Sequence, residues 1–395
     1  VVHEHYIEML TPAATARGMR VIPLSTLQED EVKVLPQISQ DRRAMILYTS
    51  GTTSKPKGVV STHANISSQV SCLIDAWGWT KEDQILHVLP LHHTHGIINV
   101  LLCALWAGAT CRMLSGFDAA RVWHAFRTFP LTLFMAVPTI YAKLIQYWDH
   151  APASERVQLS VACQKFRLMV SGSAALPISV LKKWEMVSRQ RLLERYGMTE
   201  IGMALSNPLH EERRPGTVGH PLPGVELQLV DDGGQVVERD GVSGEVQIKG
   251  PNVFLEYWRK PEATQEAFQD GWFLTGDIGV KENGYFRLLG RNSVDIIKTG
   301  GYKVSALEIE EVLRTHPSIA ECAVIGMPDE EWGERVCAGI VLQEKAALVD
   351  AELKTWAKER LAPYKVPTRI AVLEDLPRNV MGKVTKPALR AVFAE

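Results

Sequence analysis

Between residues 44 and 189, short apolar runs alternate with longer stretches of helical periodicity, and this alternation constrains the fold more than any other feature. Ala44-Met45-Ile46-Leu47, Ile85-Leu86-His87-Val88-Leu89, Thr132-Leu133-Phe134-Met135-Ala136-Val137 and Phe166-Arg167-Leu168-Met169-Val170 have the length and residue types of strands. The first of them reads as short and buried. Helices are predicted over 62–77, 97–108, 138–149 and 177–189. Strands that are apolar along their whole length are buried on both faces, which a mostly parallel sheet covered by helices provides. Residues 1–40 read as a partial α/β unit, with a strand at 19–24.

The texture changes near Pro215. Val225-Glu226-Leu227-Gln228-Leu229-Val230 and Glu245-Val246-Gln247-Ile248-Lys249 alternate in polarity, and the turns Asp232-Gly233-Gly234 and Asp240-Gly241 lie between them. This pattern predicts antiparallel hairpins. A second change falls near Gly290-Arg291, after which short helices and strands mix. The predicted class is therefore α/β. A large domain of parallel-rich sheets with helices (1–214) carries a β-rich subdomain (215–290), and a small, mobile α+β domain occupies 291–395.

Composition excludes several function classes. Net charge is −2, so no nucleic-acid surface or polybasic membrane patch is expected. The apolar stretch 97–109 contains Asn99 and is too short for a membrane span. The six cysteines form no Cys-x-x-Cys pair and read as reduced residues of an intracellular protein. The chain begins at Val1, and the expectation is that it starts inside a larger protein or is a processed form.

Several clusters carry chemistry. Tyr48-Thr49-Ser50-Gly51-Thr52-Thr53-Ser54-Lys55-Pro56-Lys57-Gly58 combines hydroxyls, glycines and lysines, the make-up of a polyphosphate cradle, but it lacks the Gly-Lys-Ser/Thr ending of a Walker loop. Ser171-Gly172-Ser173-Ala174-Ala175-Leu176 follows a predicted parallel strand, where α/β sheets bind ligands. Glu194-Arg195-Tyr196-Gly197-Met198-Thr199-Glu200 supplies an aromatic ring, a hydroxyl and a carboxylate suited to Mg²⁺ beside phosphates. Asp277, followed by Gly290-Arg291, is a candidate for ribose hydroxyls or a simple hairpin residue. Gly300-Gly301-Tyr302-Lys303 and Pro377-Arg378-Asn379-Val380-Met381-Gly382-Lys383 complete the set. The His92-His93-His95 group has no cysteine or carboxylate close in sequence and is not read as a metal site.

In order and spacing, from Thr49 to Lys383, these motifs resemble the adenylate-forming superfamily of acyl-CoA synthetases, nonribosomal adenylation domains and luciferases. Leu91–Gly96, Phe134–Tyr141, Leu168–Leu176, Leu193–Ser206 and Val294–Lys303 are most similar to the malonyl-CoA synthetases, in particular their animal mitochondrial form. The resemblance implies that roughly the first hundred or more residues of the family's large domain lie outside this chain. It also implies a mitochondrial location, with the cytoplasm as alternative.

The resemblance implies ATP, Mg²⁺ and coenzyme A as reactants or cofactors, a small dicarboxylic acid as substrate, and two half-reactions. Thr49, Ser50, Gly51, Thr52, Thr53 and Lys57 would hold the terminal phosphates. Thr199 and Glu200 would hold the α-phosphate and Mg²⁺. Ser173, Ala174 and Tyr196 would line the adenine, and Asp277 and Arg291 the ribose. Lys383 would neutralise charge during adenylation. Rotation about Ser293 or Val294 would then bring Gly300, Gly301 and Lys303 to a coenzyme A channel. A dicarboxylate also needs a cation at the far end of its pocket, for which Arg195 is the candidate, with His95 and Ser171 as further donors. Arg195 paired with a neighbouring carboxylate is the alternative. Two departures from the family pattern stand out. Ser54 replaces the usual glycine, at about 1–3 kcal/mol if that position needs positive φ. The hinge region is one residue longer. A medium-chain or aryl acyl-CoA synthetase, and a non-catalytic fragment, remain as other readings.

Overall fold

The computed structural model describes residues 2, 4–26, 36–49, 56–344, 346–378 and 384–394. The chain divides into two compact units, Val1–Gln40 and Asp41–Glu395. In the first, α1 (Ile7–Thr15) is the main element. The strand expected at 19–24 does not form: Pro23 makes only an isolated bridge with Val2, and a 3₁₀ turn starts at Leu24. Pro23 lacks the backbone N–H that would extend such a ladder.

The second unit opens with β1 (Arg43–Thr49) and β2 (Lys57–Thr62), an antiparallel pair. Here the sequence reading needs correction. β1 is not buried but is the edge strand of a three-stranded sheet, with Ile46 and Tyr48 exposed. Apolar residues alone do not say whether a neighbour covers them. Helix α2 (His63–Trp77) begins with a capping box between Thr62 and Asn65 and ends at Gly78, whose φ of 57° is left-handed.

Then follow β3 (Gln84–His87), a π-helix (His95–Leu102) running into α3 (Cys103–Ala107), β4 (Thr110–Met113), α4 (Ala119–Thr128), β5 (Leu133–Ala136), α5 (Pro138–His150), α6 (Ala153–Cys163), β6 (Leu168–Ser171), α7 (Ile178–Ser188), β7 (Leu193–Met198), β8 (Gly202–Ser206) and β9 (His220–Pro221). The π winding was not legible in the sequence, and neither were α4 and α6. These strands form one sheet in the order β4-β3-β5-β6-β7-β8-β9, parallel from β4 to β7 and antiparallel beyond. Strand order reverses around β3, so a crevice is expected at the carboxyl ends of β3, β5 and β6. The core beneath is aromatic: Trp77, Trp123, Phe126, Phe134, Tyr141 and Trp184 are fully buried.

The β-rich part comprises β10 (Glu226–Val230), β11 (Ser243–Lys249), β12 (Glu256–Tyr257), α8 (Pro261–Glu266), β13 (Phe268–Gln269), β14 (Trp272–Glu282) and β15 (Tyr285–Arg291). β10, β11, β14, β13 and β15 make an antiparallel sheet, while β12 adds to β2. Its core also takes in Val59, Tyr196, Ile201 and Leu205. The region thus packs partly on residues that precede 215.

The last part holds β16 (Ile296–Thr299), β17 (Tyr302–Ser305), α9 (Ala306–Leu313), β18 (Ile319–Asp329), β19 (Gly333–Leu342), α10 (Asp350–Lys358), β20 (Arg369–Leu373) and α11 (Lys386–Phe393). Its strands form a separate sheet with its own apolar cores. A buried ion cluster ties it together. Lys386 Nζ lies 2.6 Å from Asp295 Oδ1 and 2.8 Å from Glu310 Oε1, and Arg314 Nη2 donates to Glu310 Oε2 at 3.0 Å. Burial works against the Lys386 charge, but Glu310 and Asp295 outweigh it and raise its pKa. All six cysteines are free. Among the described residues no helix is long and apolar enough to cross a membrane.

Candidate active site

Arg195 lies on β7, and successive strand residues face opposite sides. Its side chain therefore turns away from that of Glu194, and the two buried groups do not pair. Arg195 is 3% exposed and has no carboxylate partner among the described residues. Nη2 donates to Ser173 Oγ at 3.2 Å, while Nε and Nη1 have no acceptor. Burial pulls its pKa down to about 9. An uncompensated buried guanidinium is costly unless a ligand supplies the counter-charge.

Donors gather around it. Ser173 Oγ is 3.3 Å from His95 Nδ1. With the hydroxyl proton on that bond, His95 Nε2 is left as an N–H donor, and it too is buried without a partner. Burial, then the charge on Arg195, hold the His95 pKa well below its usual value, so the ring is neutral. Ser171 Oγ is a further buried, unpartnered group. Ser173 sits at φ 68°, a sparsely populated conformation for a non-glycine residue and one common at functional sites. At Gly172 any Cβ would stand 2.6 Å from Arg195 Cζ, so only glycine leaves room for the guanidinium.

A second group lies where β2, β12 and the turn after β7 meet. Tyr257 Oη donates to Glu200 Oε1 at 3.0 Å, and Lys57 Nζ stands 4.6 Å from the Tyr257 ring centroid. Burial raises the Glu200 pKa, with Tyr257, Arg291 and Lys57 opposing. Thr49 Oγ1 bonds the Lys57 carbonyl at 3.4 Å, and Thr199 is half-buried beside Glu200 in sequence. One carboxylate flanked by a lysine and hydroxyls suits an Mg²⁺ that takes its other ligands from phosphates and water. Among the described residues no group of three or more metal-binding side chains forms.

The third group is Tyr196, Asp277 and Arg291. Tyr196 Oη donates to Asp277 Oδ2 at 2.5 Å, and Arg291 Nε to Asp277 Oδ1 at 3.0 Å. The pair offers a carboxylate and a guanidinium fixed on adjacent strands, the chemistry a diol needs. Ser173 lies with the Arg195 group rather than with Tyr196, while Ala174 is exposed. Lys303 stands apart from all of these, since its Nζ bonds Asp232 Oδ1 at 2.6 Å. Gly300 and Gly301 have φ of 56° and 81°. Ser50, Gly51, Thr52, Thr53, Ser54 and Lys383 lie outside the described residues.

Reading the sequence did not find Tyr257, Asp232, Asn99 or His87. Tyr257 and Asp232 meet their partners only through sheet pairing and domain packing, which leave no local signal. Asn99 follows His95 by one turn of the π-helix and is buried with both amide atoms unpartnered; a polar residue inside an apolar helix was the available clue.

Comparison with known proteins identifies the family of the chain. Residues 8–258 match the model for the AMP-binding enzyme and residues 308–383 that for the AMP-binding enzyme C-terminal domain. The chain belongs to the AMP-binding enzyme family. It is 50% identical to a mitochondrial malonate–CoA ligase of Mus musculus, an alignment covering 98% of this chain and 72% of that one. The ATP-bound crystal structure of MatB from Rhodopseudomonas palustris superposes with a TM-score of 0.90 at 35% identity, covering 100% of this chain and 78% of the other. A malonyl-CoA ligase product complex with methylmalonyl-CoA and AMP superposes at 0.65 with 38% identity, covering 93% and 78%.

Proposed function

We propose that this chain joins malonate, and methylmalonate as a second substrate, to coenzyme A through an acyl-adenylate, releasing AMP and pyrophosphate. The observation that carries this reading is Arg195, buried and lacking an acceptor at two guanidinium nitrogens, with His95 Nε2 and Ser171 Oγ also unpartnered. A fatty or aryl acid would leave that charge uncompensated. The far carboxylate of a short diacid supplies the compensation.

In the first half-reaction the near carboxylate attacks the α-phosphate of ATP, and pyrophosphate leaves. Thr49, Ser50, Gly51, Thr52, Thr53 and Lys57 take the terminal phosphates, Thr199 the α-phosphate, and Lys383 the charge developing between acid and phosphate. Glu200 would hold Mg²⁺ through its carboxylate, and the ion would supply charge to neutralise the phosphates. Asp277 and Arg291 hold the ribose, with Tyr196 and Ala174 about the adenine, while Ser173 stays with Arg195 and His95. In the second half-reaction the coenzyme A thiol attacks the acyl carbon and AMP leaves. Gly300, Gly301 and Lys303 serve that step after the small domain turns. The higher TM-score with the ATP-bound neighbour than with the product complex, together with Lys303 held at Asp232, supports the first-step arrangement for the structure described here. The relative named above as mitochondrial supports the same compartment for this protein.

ATP–pyrophosphate exchange with a panel of mono- and dicarboxylates tests the reading. Malonate should support exchange, and Arg195→Ala should cut malonate-dependent exchange by about 10³-fold or more, since a site built for a polar group is left unpaired without it. Unchanged malonate use in that variant would sink the diacid assignment.

A further inference from the structure

His87 closes β3 and is 3% exposed. Both ring nitrogens are engaged by the main chain. The N–H of Leu89 donates to Nδ1 at 3.1 Å, and Nε2 lies 3.1 Å from the Gly96 carbonyl oxygen. A carbonyl oxygen only accepts, and Nδ1 is already accepting. The neutral ring must therefore carry its proton on Nε2. One side chain thus grips both ends of the loop between β3 and the π-helix.

The loop leaves little freedom at its far end. A Cβ on Gly96 would stand 2.2 Å from the Pro90 carbonyl oxygen, so the chain doubles back at van der Waals contact. Gly96 directly follows His95. From His95 the hydrogen bonds continue to Ser173 and from Ser173 to Arg195. A continuous line of contacts thus runs from the carboxyl end of β3 to β7. Burial keeps the His87 ring neutral by lowering its pKa, although the bond to Gly96 acts in the opposite sense.

We propose that His87 is a positioning residue for acid selection: through its Nε2–H bond to Gly96 it fixes His95, and through His95 and Ser173 the orientation of Arg195. It rests on the reading of Arg195 as the anchor for the far carboxylate. His87 itself does not touch the acid.

Two near-isosteres separate its two bonds. His87→Gln keeps an N–H donor where Nε2 stands. His87→Asn keeps an acceptor where Nδ1 stands and removes the donor to Gly96. In His87→Asn the KM for malonate should rise at least about tenfold while the KM for ATP stays within about twofold. His87→Gln should recover most of the malonate affinity. Equal malonate KM values in the two variants, or malonate and ATP KM values moving together, would overturn the proposal, because a purely structural role disturbs both sites alike. Side-chain ¹⁵N NMR of the unsubstituted protein gives a readout independent of folding in the variants. It should show His87 as the Nε2–H tautomer at neutral pH, and an Nδ1–H or cationic ring would overturn the assignment. Arg195→Ala runs in parallel. If that variant keeps malonate use, the Arg195 reading fails, whereas the tautomer result and the Gln/Asn contrast still decide whether His87 positions the site.

Discussion

Arg195 and Lys386 are both buried cations, yet they have opposite surroundings. Lys386 meets two carboxylates, and its pKa rises despite burial. Arg195 meets none among the described residues, and its pKa falls. A buried charge that is fully paired is spent on holding structure together. One left unpaired is stable only if something outside the chain completes it, and that marks it as a ligand site.

Truncation should split the two residues most sharply. Lys386→Met strips Asp295 of its ion partner and leaves Glu310 with Arg314 alone, and should cost about 3–5 kcal/mol in denaturant unfolding. Arg195→Met removes an uncompensated charge, so stability should change by less than about 1 kcal/mol, or rise, while malonate use is lost. Similar losses in both would erase the distinction. Gly172→Ala comes next. Its methyl would displace the guanidinium and should lower kcat/KM for malonate by about 10²-fold with little change in ATP affinity.

Glu194 sharpens the comparison from the acidic side. It neighbours Arg195 in sequence but faces away, with the Gly216 N–H as its hydrogen-bond donor. Burial first, and Glu311 in addition, push its pKa from 4.5 up to about 8, although the Gly216 bond opposes the rise. The folded protein thus binds more protons than the unfolded chain between those values. Stability should therefore fall as pH rises from about 4.5 to about 8, by on the order of a few kcal/mol, and level off above. Glu194→Gln should flatten that slope in urea titrations run across the pH range; an unchanged slope would assign it to another group.

The smallest effect belongs to Asp232→Ala. Its pair with Lys303 is at the surface, so the thermal midpoint should not move measurably. The pair spans the β-rich part and the small domain, so release should favour the second half-reaction slightly. Separate assays of pyrophosphate exchange and of thioester formation from supplied adenylate would show this.

Much of this was legible in the linear chain. The strands near 85, 133 and 168 stood out because buried parallel strands are continuously apolar. The hairpins after 225 stood out because half-buried strands alternate. Arg195, His95 and Ser171 are legible as donors for a carboxylate, and the structure gathers Arg195 and His95 about Ser173. The exposure of β1 and the π winding at 95–102 were not legible, because both depend on which neighbours arrive.

The sequence by itself determined the class of fold, the order of the motifs and the kinds of side chain available for phosphate, ribose and carboxylate. Only the tertiary structure decided which charges are paired. Glu194 and Arg195 are neighbours along the chain and strangers in space. Lys386 and Asp295 are 91 positions apart and bonded. The alternation of a strand sends adjacent side chains to opposite faces, whereas helix and sheet packing bring distant ones together. The partner of a buried charge, and hence its use, is therefore a property of the fold.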